Sequence, residues 1–111
     1  DAHGHLHGIR SFALTFDRPL AARQLEFALE LLRSTQGEKL LRVKGILDVE
    51  GMEKPFVIHG VQHVFYPPET LERWPGADRR SRIVFITRDL DEAKVRTVFQ
   101  PLLGERSDQA T

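Results

Sequence analysis

The chain has no cysteine, which excludes disulfide scaffolds, thiolate zinc sites, thiol nucleophiles and thiol redox switches together. It has no charge of one sign in excess: 16 basic and 16 acidic side chains balance, so the strong basic field of a duplex nucleic-acid binder is missing. No apolar run approaches the ~20 residues of a membrane span, and no signal-like apolar segment opens the chain. A soluble, cytoplasmic protein with no membrane or nucleic-acid partner is therefore expected. The sequence also lacks the phosphate-cradling G-x-x-x-x-G-K-[ST] and G-x-G-x-x-G loops, the G-x-S-x-G elbow and the H-E-x-x-H helix. None of its serines or acids stands at a telling spacing from a histidine, so no catalytic residue is expected. A length of 111 residues is that of one domain, with a core burying roughly two-thirds of the unfolded surface.

What is present reads as alternating strand and helix patterns. Residues 1–8 (DAHGHLHG) carry no core pattern and begin with Asp rather than Met; they read as a linker, and the chain as a domain from a longer protein. Residues 9–16 alternate as a strand, with Phe12, Leu14 and Phe16 on the core side and Arg10 at the start of that side. Asp17 and Pro19 predict a helix start. Leu25, Ala28, Leu29 and Leu32 then recur at helical spacing, with Gly37 as the stop. Residues 39–50 predict a strand with Leu41, Val43, Leu47 and Val49 on one side and Arg42, Lys44 and Asp48 on the other. Gly45, on the apolar side, marks a bulge or a close approach. A turn at 51–55 leads into a second long strand, 56–65, with Phe56, Ile58 and Val64 inward and His59 and His63 on the opposite side.

Residues 66–80 form a loop with three prolines, a helical turn at 69–73, and Trp74 as a lid over the sheet margin. Residues 82–87 (RIVFIT) predict a central strand. Asp89 and Glu92 fit a D-x-x-E capping box for a helix from Leu90 to Gln100, which Pro101 ends. The order β-α-β-β-β-α implies an α+β fold: a four-stranded, mainly antiparallel sheet with two helices on one face, ferredoxin-like in general kind. Residues 9–103 form the domain and 104–111 a frayed tail.

His3, His5 and His7 are the most chemically suggestive cluster. Alternate residues of an extended segment share a side at ~7 Å spacing. Folding back would bring neutral imidazoles to one borderline cation such as zinc, cobalt, nickel or copper, with Asp1 as an extra carboxylate. Against this stands a solvated linker, whose ordering costs roughly 1–2 kcal/mol per residue. His59 and His63 share a strand side but lie ~13 Å apart, too far for one ion without a bulge, and read as sheet-surface histidines. Arg79, Arg80 and Arg82 form either a solvated turn or a patch for an acidic partner or for a nucleotide on another domain. The aromatic strand pattern of RNA-recognition modules is absent from RVKGILDVEG and RIVFITRD.

The stretches HGIRSFALTFDRPL, LLRVKGIL and FVIHGVQHVF, a Trp-containing loop and SRIVFITRDLD together resemble the C-terminal domain of the CobW family. Those proteins are GTPases implicated in metal handling, including cobalamin synthesis and zinc or cobalt delivery. LLRVKGIL and RIVFITRDLD are the more specific segments. Thr87 stands where the family commonly has Gly, and His59 where it commonly has Gln.

The resemblance implies that DAHGHLHG is a short form of the histidine-rich stretch joining the GTPase domain to this one, with zinc or cobalt as its metal. It places GTP and magnesium in the N-terminal GTPase domain and carries none of that machinery onto this chain. It also implies a protein-interaction and client-recognition role, with the GTPase domain of the same protein and a client metalloprotein as partners. The candidate interaction surface comprises Arg10, Arg42, Lys44, His59 and His63. Direct metal binding by the His segment is the alternative.

Overall fold

Strands form where apolar residues alternate with polar ones. The computed structural model describes residues 8–103, and its centre is β6 (Ser81–Arg88). This strand pairs antiparallel with β1 (Ile9–Phe16) on one side and with β2 (Leu40–Leu47) on the other. Beyond β2 the sheet continues through β3 (Phe56–Val61), which carries two short strands, β4 (Val64–Phe65) and β5 (Glu69–Thr70). Because β1 and β2 both run against β6, they are mutually parallel, and the helix between them crosses one face of the sheet. That helix is α1 (Ala22–Gln36); α2 (Glu92–Val98) and α3 (Gln100–Leu103) follow β6.

The core lies between this helical layer and one sheet face. Leu14 and Phe16 of β1, Val43 and Leu47 of β2, and Ile83 and Phe85 of β6 are buried with Leu25, Ala28 and Leu32 of α1. Val95, Phe99, Leu102 and Leu103 complete it from the C-terminal helices. The Phe85 ring stacks on Phe12 at 5.4 Å and meets Phe99 edge-on at 6.0 Å, the offset and tilted arrangements that aromatic quadrupoles favour. No helix among the described residues is long and apolar enough to cross a membrane.

The α+β class and the antiparallel sheet are as expected, but the sheet has six strands, not four. The expected strand 56–65 is interrupted: Gln62 adopts φ 55°, and the chain reverses at Gln62 and His63 into β4. The expected helical turn at 69–73 is replaced by β5, whose Glu69 and Thr70 pair with Val57 and Phe56.

Helix boundaries shift for long-range reasons. Leu20 bridges to Val49, its N–H donating to the Asp48 carbonyl at 2.8 Å, so α1 begins at Ala22 rather than beside Asp17. Asp89 sits at φ 57° and Thr87 Oγ1 donates to the Leu90 carbonyl at 2.8 Å, which keeps both residues out of α2; its N-cap is Asp91. Pro101 falls in the first turn of α3, where a missing N–H is harmless. In β2 a register shift between Leu40 and Arg42 buries Leu40 in place of Leu41. Gly45 lies in the regular register; a Cβ there would come within 3.0 Å of Ile83 Cγ1 and 3.2 Å of Ile58 Cγ1.

Candidate interaction face

Odd-numbered residues of β6, and of β2 from Val43 onward, point into the core, so the even-numbered ones face away from the helices. That parity places Arg42, Lys44 and Ile46 of β2 beside Arg82, Val84 and Ile86 of β6. The cross-strand partners are Arg42 with Ile86, Lys44 with Val84, and Ile46 with Arg82, so each rung joins one cation to one aliphatic side chain. The three cations are exposed and the three aliphatics half-buried. Together they line an open depression of about 360 Å³.

Two features frame this face. On the β3 side, Lys44 lies opposite His59, whose ring packs on Tyr66 at 5.3 Å. Val57, Pro67, Pro68 and Glu69 border the same hollow. At the other end the loop before β6 folds over Thr15 and Ile46. Trp74 Nε1 donates to the Glu53 carbonyl at 3.2 Å, and Arg79 Nη2 donates to the same oxygen at 3.1 Å. The Arg79 guanidinium also sits 5.4 Å from the centre of the Trp74 ring, a cation–π distance. Trp74 is thus held half-buried as a lid at the sheet margin.

The basic run at the end of this loop separates into three roles. Arg79 is engaged with Trp74 and Glu53. Arg80 grips Asp78 through Nε and Nη2 at 3.1 and 3.0 Å. The side-chain hydrogen bond from Arg80, then its backbone N–H, holds the Asp78 carboxyl down at about 2. Arg82 turns to the open face and, like Arg42 and Lys44, has no ion-pair partner among the described residues. Arg10 is paired with Asp91 at 3.3 Å, Arg96 with Glu92 at 3.1 Å, and Arg33 with Glu30, while Arg23, Arg73 and Arg88 also have no ion-pair partner among the described residues.

Of the residues singled out from the sequence, Arg42, Lys44 and His59 are neighbours on this face. Arg10 is on the helix side with Asp91, because it shares parity with Phe12 and Leu14. His63 is in the β3–β4 turn, packed so closely on Gly37 that no side chain at position 37 would fit beside its ring. It borders a groove with Glu26, Glu30 and Arg33 of α1. Arg82, which the sequence placed in a basic run with Arg79 and Arg80, joins Arg42 and Lys44 here, whereas Ile46, Val84 and Ile86 were not singled out; for Val84 and Ile86 the signal was the strict alternation in RIVFIT, masked by its apolar composition. His3, His5 and His7 lie outside the described residues. Among the described residues no group of three or more His, Cys, Asp or Glu is placed to hold a metal ion.

Comparison with known proteins is consistent with this architecture. Residues 9–103 match the family described as the cobalamin synthesis protein cobW C-terminal domain. The zinc chaperone YjiA of Escherichia coli K12 is 30% identical over 94 residues, which cover 85% of this chain and 29% of YjiA. The solved Zn(II)-bound YjiA GTPase from E. coli has a TM-score of 0.77 at 28% identity, covering 88% of this chain and 30% of that one. A Zn(II)-bound triple mutant of YjiA GTPase has a TM-score of 0.76 at 29% identity, covering 85% of this chain and 29% of that one. The chain thus spans under a third of the length of these relatives. Since the family match extends from the first residue of β1 to the last of α3, the chain belongs to the cobW C-terminal domain family.

Proposed function

We propose that this domain is the accessory, partner-recognising module of a CobW-like GTPase that delivers a transition metal in the cytoplasm. Zinc is the metal that the relatives' names favour, and cobalt for cobalamin synthesis is the other member of the expected class. In this reading GTP and magnesium are held by an N-terminal GTPase domain, and the C-terminal domain docks on that domain and on a client metalloprotein. The observation that carries it is the sheet face built from Arg42, Lys44, Ile46, Arg82, Val84 and Ile86. Helices cover the opposite face, whereas this one combines half-buried aliphatics with unpaired cations, a composition suited to protein docking.

The test couples the domain to the GTPase domain of the same protein and measures nucleotide turnover and zinc transfer to an apo-metalloprotein. The Arg42→Gln, Lys44→Gln, Arg82→Gln triple variant is expected to slow transfer severalfold while keeping the fold. Transfer and turnover equal to those of the unsubstituted protein would refute the role of this face.

A second reading follows from the H-x-H-x-H spacing at His3, His5 and His7: weak direct metal binding by the N-terminal segment. Titration of zinc into the chain with and without residues 1–8 tests it. Loss of binding on removal supports the segment as a ligand set, and equal binding by both forms excludes it.

A further inference from the structure

We infer that the open sheet face binds an acidic polypeptide segment of a partner protein, one in which carboxylates alternate with aliphatic side chains. The inference rests on the reading of this face as the docking surface and adds the chemistry of what docks there.

Three observations point to that chemistry. First, the charge on the face is not neutralised at home. Arg42, Lys44 and Arg82 meet no carboxylate among the described residues. Arg23, Arg73 and Arg88 are likewise unpaired, but Arg42, Lys44 and Arg82 line one depression on a single sheet face. Arg42 and Lys44 are two apart on one strand, so their charges stand ~7 Å from each other on the same side, where like charges repel. An anionic partner relieves that repulsion, and complementary charge fixes register and raises the association rate. Glu69 borders the neighbouring hollow with Lys44 and makes no ion pair with it.

Second, the cations are interleaved with aliphatics rather than clustered. Across the β2–β6 ladder the rungs read Arg42–Ile86, Lys44–Val84 and Ile46–Arg82, so the apolar member changes strand between the second and third rung. A uniformly anionic ligand would leave Ile46, Val84 and Ile86 against charge. A segment alternating acidic and aliphatic residues satisfies both sets.

Third, the residues lining the depression include no aromatic side chain. Single-stranded nucleic acid is held by aromatic platforms on which bases stack. The aromatics near this face, Tyr66 with His59 and Trp74 with Arg79, are at its margins and already stacked on those partners. A peptide is therefore favoured over an oligonucleotide.

The experiment uses the 111-residue chain with labelled methyl groups and, as probe, a synthetic peptide alternating glutamate and leucine. Expected are shifts confined to Ile46, Val84 and Ile86, and binding that weakens as salt screens the charges. Replacing the peptide's glutamates by glutamine, or introducing Arg42→Gln, Lys44→Gln and Arg82→Gln together, should weaken binding roughly tenfold or more. Replacing its leucines by alanine should weaken it severalfold.

Equal binding of the glutamine peptide, shifts mapping to Phe27 and Leu31 on α1, or a single-stranded oligonucleotide binding as tightly would each overturn the inference. A parallel titration with the GTPase domain separates this from the broader proposal. Peptide binding without any effect of the domain on GTPase turnover would leave this inference standing and remove the accessory role. An effect on turnover with no peptide binding would do the reverse.

Discussion

Gly60→Ala probes how the outer edge of the sheet is closed. Gly60 is buried in β3 and lies opposite Phe65 of β4. A Cβ at position 60 would stand 2.7 Å from Phe65 Cδ1, 2.8 Å from Cε1 and 2.9 Å from Cγ. Non-bonded carbons prefer ~3.5–4.0 Å, so the added methyl overlaps the ring by about 1 Å. The backbone has little freedom to yield, because Tyr66 N–H donates to the His59 carbonyl at 2.9 Å and the two-residue turn at Gln62 and His63 fixes the strand separation. The ring must move instead, and it is packed against the core.

Overpacking of this kind costs ~1–3 kcal/mol, offset in part by the ~0.5–1 kcal/mol that alanine recovers over glycine within a strand. A net destabilisation of about 1–2 kcal/mol follows, measurable by urea unfolding monitored by far-UV circular dichroism. The midpoint should fall with an unchanged m-value. The decisive comparison is a double-mutant cycle with Phe65→Ala. Once the ring is gone the methyl has space, so Gly60→Ala in that background should be neutral or slightly stabilising. Additive effects would refute the packing argument, since residues in direct contact must couple.

Three further outcomes are expected. Thr87→Val removes the buried hydroxyl that donates to the Leu90 carbonyl and should lower stability by about 1–3 kcal/mol; urea unfolding within error of the unsubstituted protein would contradict that role. Ser81→Ala deprives the Asp48 N–H of its acceptor at 2.8 Å, and because that site is only partly buried the loss should be smaller, about 1 kcal/mol. Asp78 should titrate near 2 by carbon-detected NMR, because the Arg80 side chain bonds its ionised form. The depressed folded value means the pairing is fully present above the ordinary aspartate range and is lost as pH falls through about 2. Arg80→Gln, which keeps the backbone N–H that also bonds Asp78, should raise the midpoint part of the way to that range, and a midpoint unmoved by the substitution would assign the depression elsewhere.

The elements legible from the sequence are those whose periodicity coincides with burial. In β1, the alternation of Phe12, Leu14 and Phe16 is the core face; in α1, Leu25, Ala28 and Leu32 are buried where the helical spacing puts them. Boundaries were less legible, because contacts distant in sequence decide them. Asp17 and Pro19 make a sound local helix start, yet the bridge between Leu20 and Val49 keeps the chain extended past them. The reversal at Gln62 and His63 carries no Gly or Asn to announce it, so two short antiparallel strands read as one long strand. That same turn removes His63 from the face on which His59 remains. Arg42, Lys44 and His59 could be found from alternation alone, whereas pairing Arg10 with Asp91 depends on where the start of α2 packs, which local pattern does not encode.

The open face is informative because its two halves have ordinary explanations separately and none together. Val and Ile favour strands whatever they face, and an antiparallel sheet is free to leave one side to water. On that account the outward positions of β2 and β6 would be polar throughout. Instead Ile46, Val84 and Ile86 stay half-buried among three cations that no carboxylate among the described residues reaches. The chain has 16 acidic residues to spend, so the imbalance arises from placement and not from composition. Water hydrates the three exposed cations but gains nothing from the aliphatics between them, whereas a partner carrying carboxylates and aliphatics satisfies both features at once.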